Sequence, residues 1–92
     1  MSKAIITFKI MPESPDTDLE SIKEGAKKIA EEAGAIGEML VKEDPIAFGL
    51  VAVLVLVMYE ADGANFDVIA GKMAELAGVN SAEVAKMDLA LG

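Results

Sequence analysis

An α+β fold with the element order βαββαβ is what this sequence predicts; two patterns carry the prediction and a third supports it. The run LVAVLVLVMY from Leu50 to Tyr59 sets valine at 51, 53, 55 and 57. Branched residues at every second position favour a strand with its valines on one face. Two amphipathic stretches of helical period, one after Thr17 and one from Phe66, each stop at a glycine before the next strand-like segment. The third pattern is internal: KIAEEAG at 28–34 matches KMAELAG at 72–78, and the same offset pairs Lys42 with Lys86 and Asp44 with Asp88. Two similar halves related by pseudo-symmetry are what a split pair of βαβ units displays. Together they describe the ferredoxin-like plait, a four-stranded antiparallel sheet backed by two helices.

The elements follow in order. Ala4, Ile6, Phe8 and Ile10 alternate with Ile5, Thr7, Lys9 and Met11, which predicts a first strand with one cleaner buried face. PESPDTD breaks it. Thr17 followed by Glu20 reads as a capping box, and Leu19, Ile22, Ala26, Ile29 and Ala33 fall at helical spacing, so the first helix is expected over Asp18 to Ala33, ended by Gly34. IGEMLVKED is a second strand of less regular pattern. The third strand, Leu50 to Tyr59, is apolar at its alternate positions too, so both of its faces are expected to lose water as in a central strand. EADGAN is a loop; Phe66, Ile69, Ala70, Met73, Leu76 and Ala77 form the second helical stripe, ended by Gly78, and SAEVAKMDLAL closes the chain as a last strand.

Composition removes whole classes of function. Ninety-two residues suit a single domain, here residues 1–92, with one core. There is no cysteine, histidine or arginine, so disulfides, thiolate zinc sites, cysteine nucleophiles, histidine bases and bidentate phosphate clamps all drop out. Sixteen acidic residues against eight lysines, a net charge of −8, repel a polyphosphate backbone and speak against direct nucleic-acid binding. Such a surface either maintains solubility or steers the chain toward a basic protein. Fifteen uncharged residues run from Pro45 to Tyr59, fewer than the roughly 20 a spanning helix needs, and they contain Pro45 and Gly49. A membrane segment is therefore not expected. Lys3, Lys9 and Pro12 interrupt the N-terminus too early for a secretory signal, which points to the cytoplasm.

Candidate sites are few. The four serines have no histidine partner and read as loop and capping residues. Asp16, Asp18 and Glu20 sit where acids belong at a helix start, so no metal is expected, and no cofactor. Lys86 either reaches an anionic site on a partner or is a solvated strand lysine mirrored by Lys42. PIAFGL is the segment a structural account does not absorb: Phe48 stands between Ala47 and Gly49 in a tight connection between the second and third strands. Patterning alone leaves two roles open, an anchor for a partner's pocket or a ring folded back over its own core.

The opening strand followed by IMPESPDTDLE, the block EDPIAFGLVAV, and the element order closing on MDLAL carry a resemblance. Across essentially its whole length the chain resembles the archaeal elongation factor 1-beta family, the guanine-nucleotide exchange factors for elongation factor 1-alpha. The resemblance implies a stand-alone exchange domain, not an enzyme, that binds the GDP-bound factor, disturbs its magnesium and phosphate region, releases GDP and yields to GTP. It implies that Phe48 is the aromatic contact, with Pro45, Ile46, Ala47 and Gly49 shaping its loop. It also implies a second contact at the end of the last strand, at Asp88 and Leu89, where relatives place a basic residue. Here the sequence departs: after Asp88 it reads Leu89, Ala90, Leu91, Gly92. Three explanations stand: a truncated chain, disruption by contact alone, or substitution by Lys86 from two residues before the aspartate. A monomer is expected. The alternative reading is a small-molecule regulatory module of the same fold, acting as a dimer that covers the second face of the third strand. An acyl-phosphate hydrolase would need an arginine and is set aside.

Overall fold

The computed structural model describes residues 3–60 and 65–90. Residues 61–64 of the expected EADGAN loop, and Leu91 and Gly92, lie outside them. The element order is β1 (Lys3–Pro12), α1 (Leu19–Glu32), β2 (Ile36–Pro45), β3 (Val51–Glu60), α2 (Phe66–Ala74) and β4 (Val79–Ala90). The strands form one antiparallel sheet in the order β2-β3-β1-β4, the topology of the ferredoxin-like plait.

Period two sets the core. Ala4, Ile6, Phe8 and Ile10 of β1 lie opposite Tyr59, Val57, Val55 and Val53 of β3, and all eight are buried. Ile22, Ala26 and Ala30 of α1 and Phe66, Ile69, Ala70 and Met73 of α2 close the same cluster from one side of the sheet. Tyr59 fits there because its hydroxyl donates to the Ala30 carbonyl at 3.1 Å, while its ring meets Phe8 edge-on and Phe66 at a tilt.

The outer face differs from expectation. Leu54, Leu56 and Met58 of β3 are half-buried, not sealed, because among the described residues no second layer lies over them. Their cover is lateral, from Ile5 across the β1 pairing and Leu40 across the β2 pairing, and Thr7, Lys9, Lys42 and Lys86 hold the surroundings polar. It is the solvated face of an antiparallel sheet.

Three boundaries also shift. The N-cap of α1 is Asp18, not Thr17: the Asp18 carboxylate accepts from the N–H groups of Glu20 and Ser21. Thr17 is occupied one turn earlier, where its Oγ1 accepts from the Ser14 N–H at 3.1 Å. The second helix stops at Ala74 because Glu75, Leu76 and Val79 each donate to the carbonyl three residues back, which tightens the chain out of α geometry. The irregular β2 pattern is a bulge: Ile36 pairs with Met58 but Leu40 with Leu56, and Gly37 takes a φ of 71° between them.

The internal repeat maps onto equivalent places. Its final glycines, Gly34 and Gly78, both take positive φ and turn a helix into an edge strand. Lys42 and Asp44 on β2, and Lys86 and Asp88 on β4, then share the outer face, one pair at each edge of the sheet.

Candidate functional site

The β2–β3 connection is built by two backbone hydrogen bonds. The Ile46 N–H donates to the Leu50 carbonyl at 2.8 Å, and the Leu50 N–H donates to the Ala47 carbonyl at 3.2 Å. The second bond closes a four-residue turn whose central residues are Phe48, at φ 61°, and Gly49, at φ 76°. Two positive φ values are the mark of a type I′ hairpin turn, whose twist matches that of the strands it joins. Glycine suits such a position. Phenylalanine does not, because its β-carbon crowds the following carbonyl at about 1–2 kcal/mol. Phe48 is the sole non-glycine with positive φ among the described residues.

The ring gains nothing from its own protein, being 93% exposed. Pro45, Ala47 and Gly49 are exposed around it, and Ile46 is 38% exposed. Pro15 supports the turn from the β1–α1 connection, close enough that a β-carbon on Gly49 would lie 3.7 Å from it. Of the two roles left open by the pattern, the ring does not fold back over the core.

The other group of candidate residues lies elsewhere. Phe8 pairs with Val84 and Thr7 with Lys86, so Ala85 is an extra residue in β4. This bulge resets the alternation. It sends Lys86 and Asp88 to the outer face and Met87 and Leu89 to the helix side, opposite Ile6 and Ala4. The helices do not cover that end of β4: Met87 is 53% and Leu89 66% exposed. Lys86 Nζ stands 3.6 Å from Asp88 Oδ2, a solvated ion pair of small energetic consequence. Met87 escaped the sequence reading, although it shares the parity of Leu89.

The sheet holds the two groups apart. The hairpin tip lies beyond Val51, level with the end of β1 near Pro12, whereas Leu89 pairs with Ala4 near its start. Eight strand steps separate these levels, about 25–30 Å. The molecule is 42 Å long in its longest direction. One surface is an aromatic knob and the other an apolar strand end, and a single partner touching both must present contacts at that spacing.

Neither group has the makings of covalent chemistry. Among the described residues no charged side chain is buried, and no three acidic side chains gather closely enough to hold a metal ion. An open cleft of about 200 Å³ on the outer face is lined by Ile5, Glu38, Leu40, Leu56, Val57 and Met58. With one carboxylate and no convergent donors it offers little to fix a metabolite. No helix among the described residues is long and apolar enough to cross a membrane.

Residues 5–89, which include both groups, match the model of the EF-1 guanine nucleotide exchange domain. The chain belongs to that family. Elongation factor 1-beta of Methanobrevibacter smithii is 42% identical over 84 residues, covering 91% of this chain and 92% of that protein. Elongation factor 1-beta of Methanococcus maripaludis strain S2 is 38% identical over 89 residues, 97% of this chain and 99% of its own length. Elongation factor 1-beta of Pyrococcus horikoshii is 39% identical over 78 residues, 84% of each chain. These relatives are archaeal, and EF-1 guanine nucleotide exchange domain membership supports a nucleotide-exchange role in translation elongation for this chain. An exchange role suits surfaces that offer contact area without reacting groups.

Proposed function

We propose that residues 1–92 act as a single, monomeric exchange domain on elongation factor 1-alpha in the cytoplasm, without covalent chemistry, a cofactor or direct contact with nucleic acid. Phe48, shaped by Pro45, Ile46, Ala47 and Gly49, is the aromatic anchor at one end of the sheet. At the other end Leu89, with Met87 beside it and Asp88 and Lys86 on the opposite face, contacts the region around the partner's nucleotide and magnesium. The observation that carries this reading is Phe48, a large apolar ring held at φ 61° and 93% exposed. A strained, solvated phenylalanine is doubly unfavourable in the free protein, which supports a use outside it.

The energetics are adequate. Weakening GDP a thousandfold needs a coupling free energy of about 4 kcal/mol. Burying an exposed phenylalanine removes on the order of 150–200 Å² from water, worth about 4–5 kcal/mol at 25 cal/mol per Å² before association costs. If the socket for that ring forms fully only in the nucleotide-free factor, this one side chain approaches the required difference. The turn raises the yield by presenting the ring already fixed. At the β4 end we assign the disturbance of the magnesium site to apolar contact, with Lys86 able to leave Asp88 at little cost because the pair is solvated.

The test is release of labelled GDP from the cognate elongation factor 1-alpha. Phe48→Ala keeps the positive-φ strain and deletes only the ring, so release should slow tenfold or more while the thermal midpoint hardly moves. An unchanged release rate would remove the loop from the mechanism.

A further inference from the structure

Charge is distributed unequally between the two ends of the sheet. At the β4 end the strand charges pair off: Lys3 lies opposite Glu60 in the β1–β3 register, and Lys86 stands beside Asp88. Around Phe48 they do not. Around the turn the exposed carboxylates Glu13, Asp16, Asp18, Glu43 and Asp44 stand against two lysines, Lys42 on β2 and Lys23 on α1. The two segments that carry these carboxylates meet where Pro15 underlies Gly49. Asp18 is engaged as the N-cap of α1, and Glu43 accepts from the Lys23 ammonium, which also holds Glu20. Among the described residues, Glu13, Asp16 and Asp44 make no hydrogen bond or ion pair through their side chains.

We propose that the Phe48 end docks on an apolar socket rimmed by lysine or arginine side chains, with Glu13, Asp16 and Asp44 as the local steering charges. The inference rests on the exchange reading above and adds to it the chemistry of the surface that receives the ring. A hydrophobic knob ringed by an excess of one sign of charge selects a partner of opposite rim, because the like-charged alternative is repelled during approach and leaves unpaired charge on contact. Steering acts over about a Debye length, near 10 Å at 0.1 M salt, and therefore needs the charges near the knob and not merely somewhere on the protein. Three carboxylates that enter no ion pair among the described residues, on two segments beside the turn, meet that condition; the paired strand charges at the far end do not.

The experiment compares two triple variants that remove the same net charge. E13Q/D16N/D44N neutralises the rim, and E24Q/E31Q/E32Q neutralises exposed carboxylates of α1. Association with nucleotide-free elongation factor 1-alpha is followed by stopped flow from about 50 to 500 mM salt, spanning weak to strong screening. The rim triple should slow association roughly tenfold at low salt and flatten the salt dependence, leaving dissociation nearly unchanged. The α1 triple should keep most of both. Equal slowing by the two triples would reduce the effect to net charge and overturn the proposal, as would a rim triple that associates normally. Phe48→Ala in the labelled-GDP release assay separates the two claims: lost exchange in F48A beside a rim triple that associates normally sinks the charged socket alone, whereas normal exchange in F48A sinks the anchor.

Discussion

Phe48→Asn should make the free protein more stable and the exchange factor worse. At φ 61° a phenylalanine is held about 1–2 kcal/mol above the α or β conformations open to it, whereas asparagine tolerates the left-handed region and leads the sequence preferences of type I′ turns. With the ring 93% exposed, its deletion leaves no cavity. The Ile46 to Leu50 and Leu50 to Ala47 backbone bonds that close the loop use no side chain. The balance is a gain of about 1 kcal/mol, which raises the thermal midpoint of a domain of this size by about 4–8 °C. Calorimetry reads the gain and labelled-GDP release reads the loss, expected at tenfold or more. Phe48→Ala separates the causes: alanine keeps a β-carbon in the strained region, so it loses exchange without the gain. A lower midpoint for Phe48→Asn would mean that the ring is supported by its own protein and would refute the argument from strain.

Other perturbations test the frame around the site. Asp18→Ala removes the acceptor for two helix-start N–H groups and should lose about 1 kcal/mol in denaturant unfolding, whereas Glu20→Ala, which caps nothing, should lose little. Gly78→Ala meets two obstacles, a φ of 85° and a β-carbon 2.8 Å from Thr17 Cγ2. It should be destabilised by more than the roughly 1–2 kcal/mol of backbone strain, and adding Thr17→Ser, which deletes that methyl and keeps the hydroxyl, should recover only the excess. Tyr59→Phe should lose only about 0.5–1 kcal/mol, because the Ala30 carbonyl still accepts from the N–H groups of Ala33 and Ala35. Burial pushes the Tyr59 phenol from 10 up to about 12. Folding thus favours its protonated form, and the stabilisation, complete below pH 10, fades as pH climbs through 10 to 12. The stability of wild type relative to Tyr59→Phe should therefore fall steadily across that window; a constant difference would contradict the burial.

Much of the fold was legible because each element buries one face and so writes its period into the chain. The valines of β3 and the even-numbered residues of β1 face each other as their alternation demands, and α1 lacks only the two end residues of its expected span, Asp18 and Ala33, which flank it as caps. What stayed hidden depends on competition between neighbours. Thr17 and Asp18 are both good N-caps; which one caps was decided by Ser14, whose N–H claims the threonine hydroxyl. The outer face of β3 reads as core because its letters are apolar, but letters do not say whether anything lies over them. At Phe48 the sequence left two orientations open, and the turn closed one: with positive φ at both central residues the side chain is thrown off the tip, away from the core.

The separation of the two candidate groups follows from topology alone. In an antiparallel sheet of order β2-β3-β1-β4, β3 starts where β1 ends and β4 ends where β1 starts. A hairpin entering β3 and the last residues of β4 therefore fall at opposite ends whatever the side chains are. Strand length then sets the distance between them, about 25–30 Å for the eight steps between the two levels. Lengthening β1 and β3 together by two residues each would keep every face in phase, since the side-chain period is two, while moving Phe48 about 7 Å further from Leu89. A partner that grips both ends at once should lose exchange with such a variant even though each contact residue is intact. A partner that uses one end alone would not register the change, and that outcome would dissolve the two-ended mode of binding while leaving the anchor at Phe48 untouched.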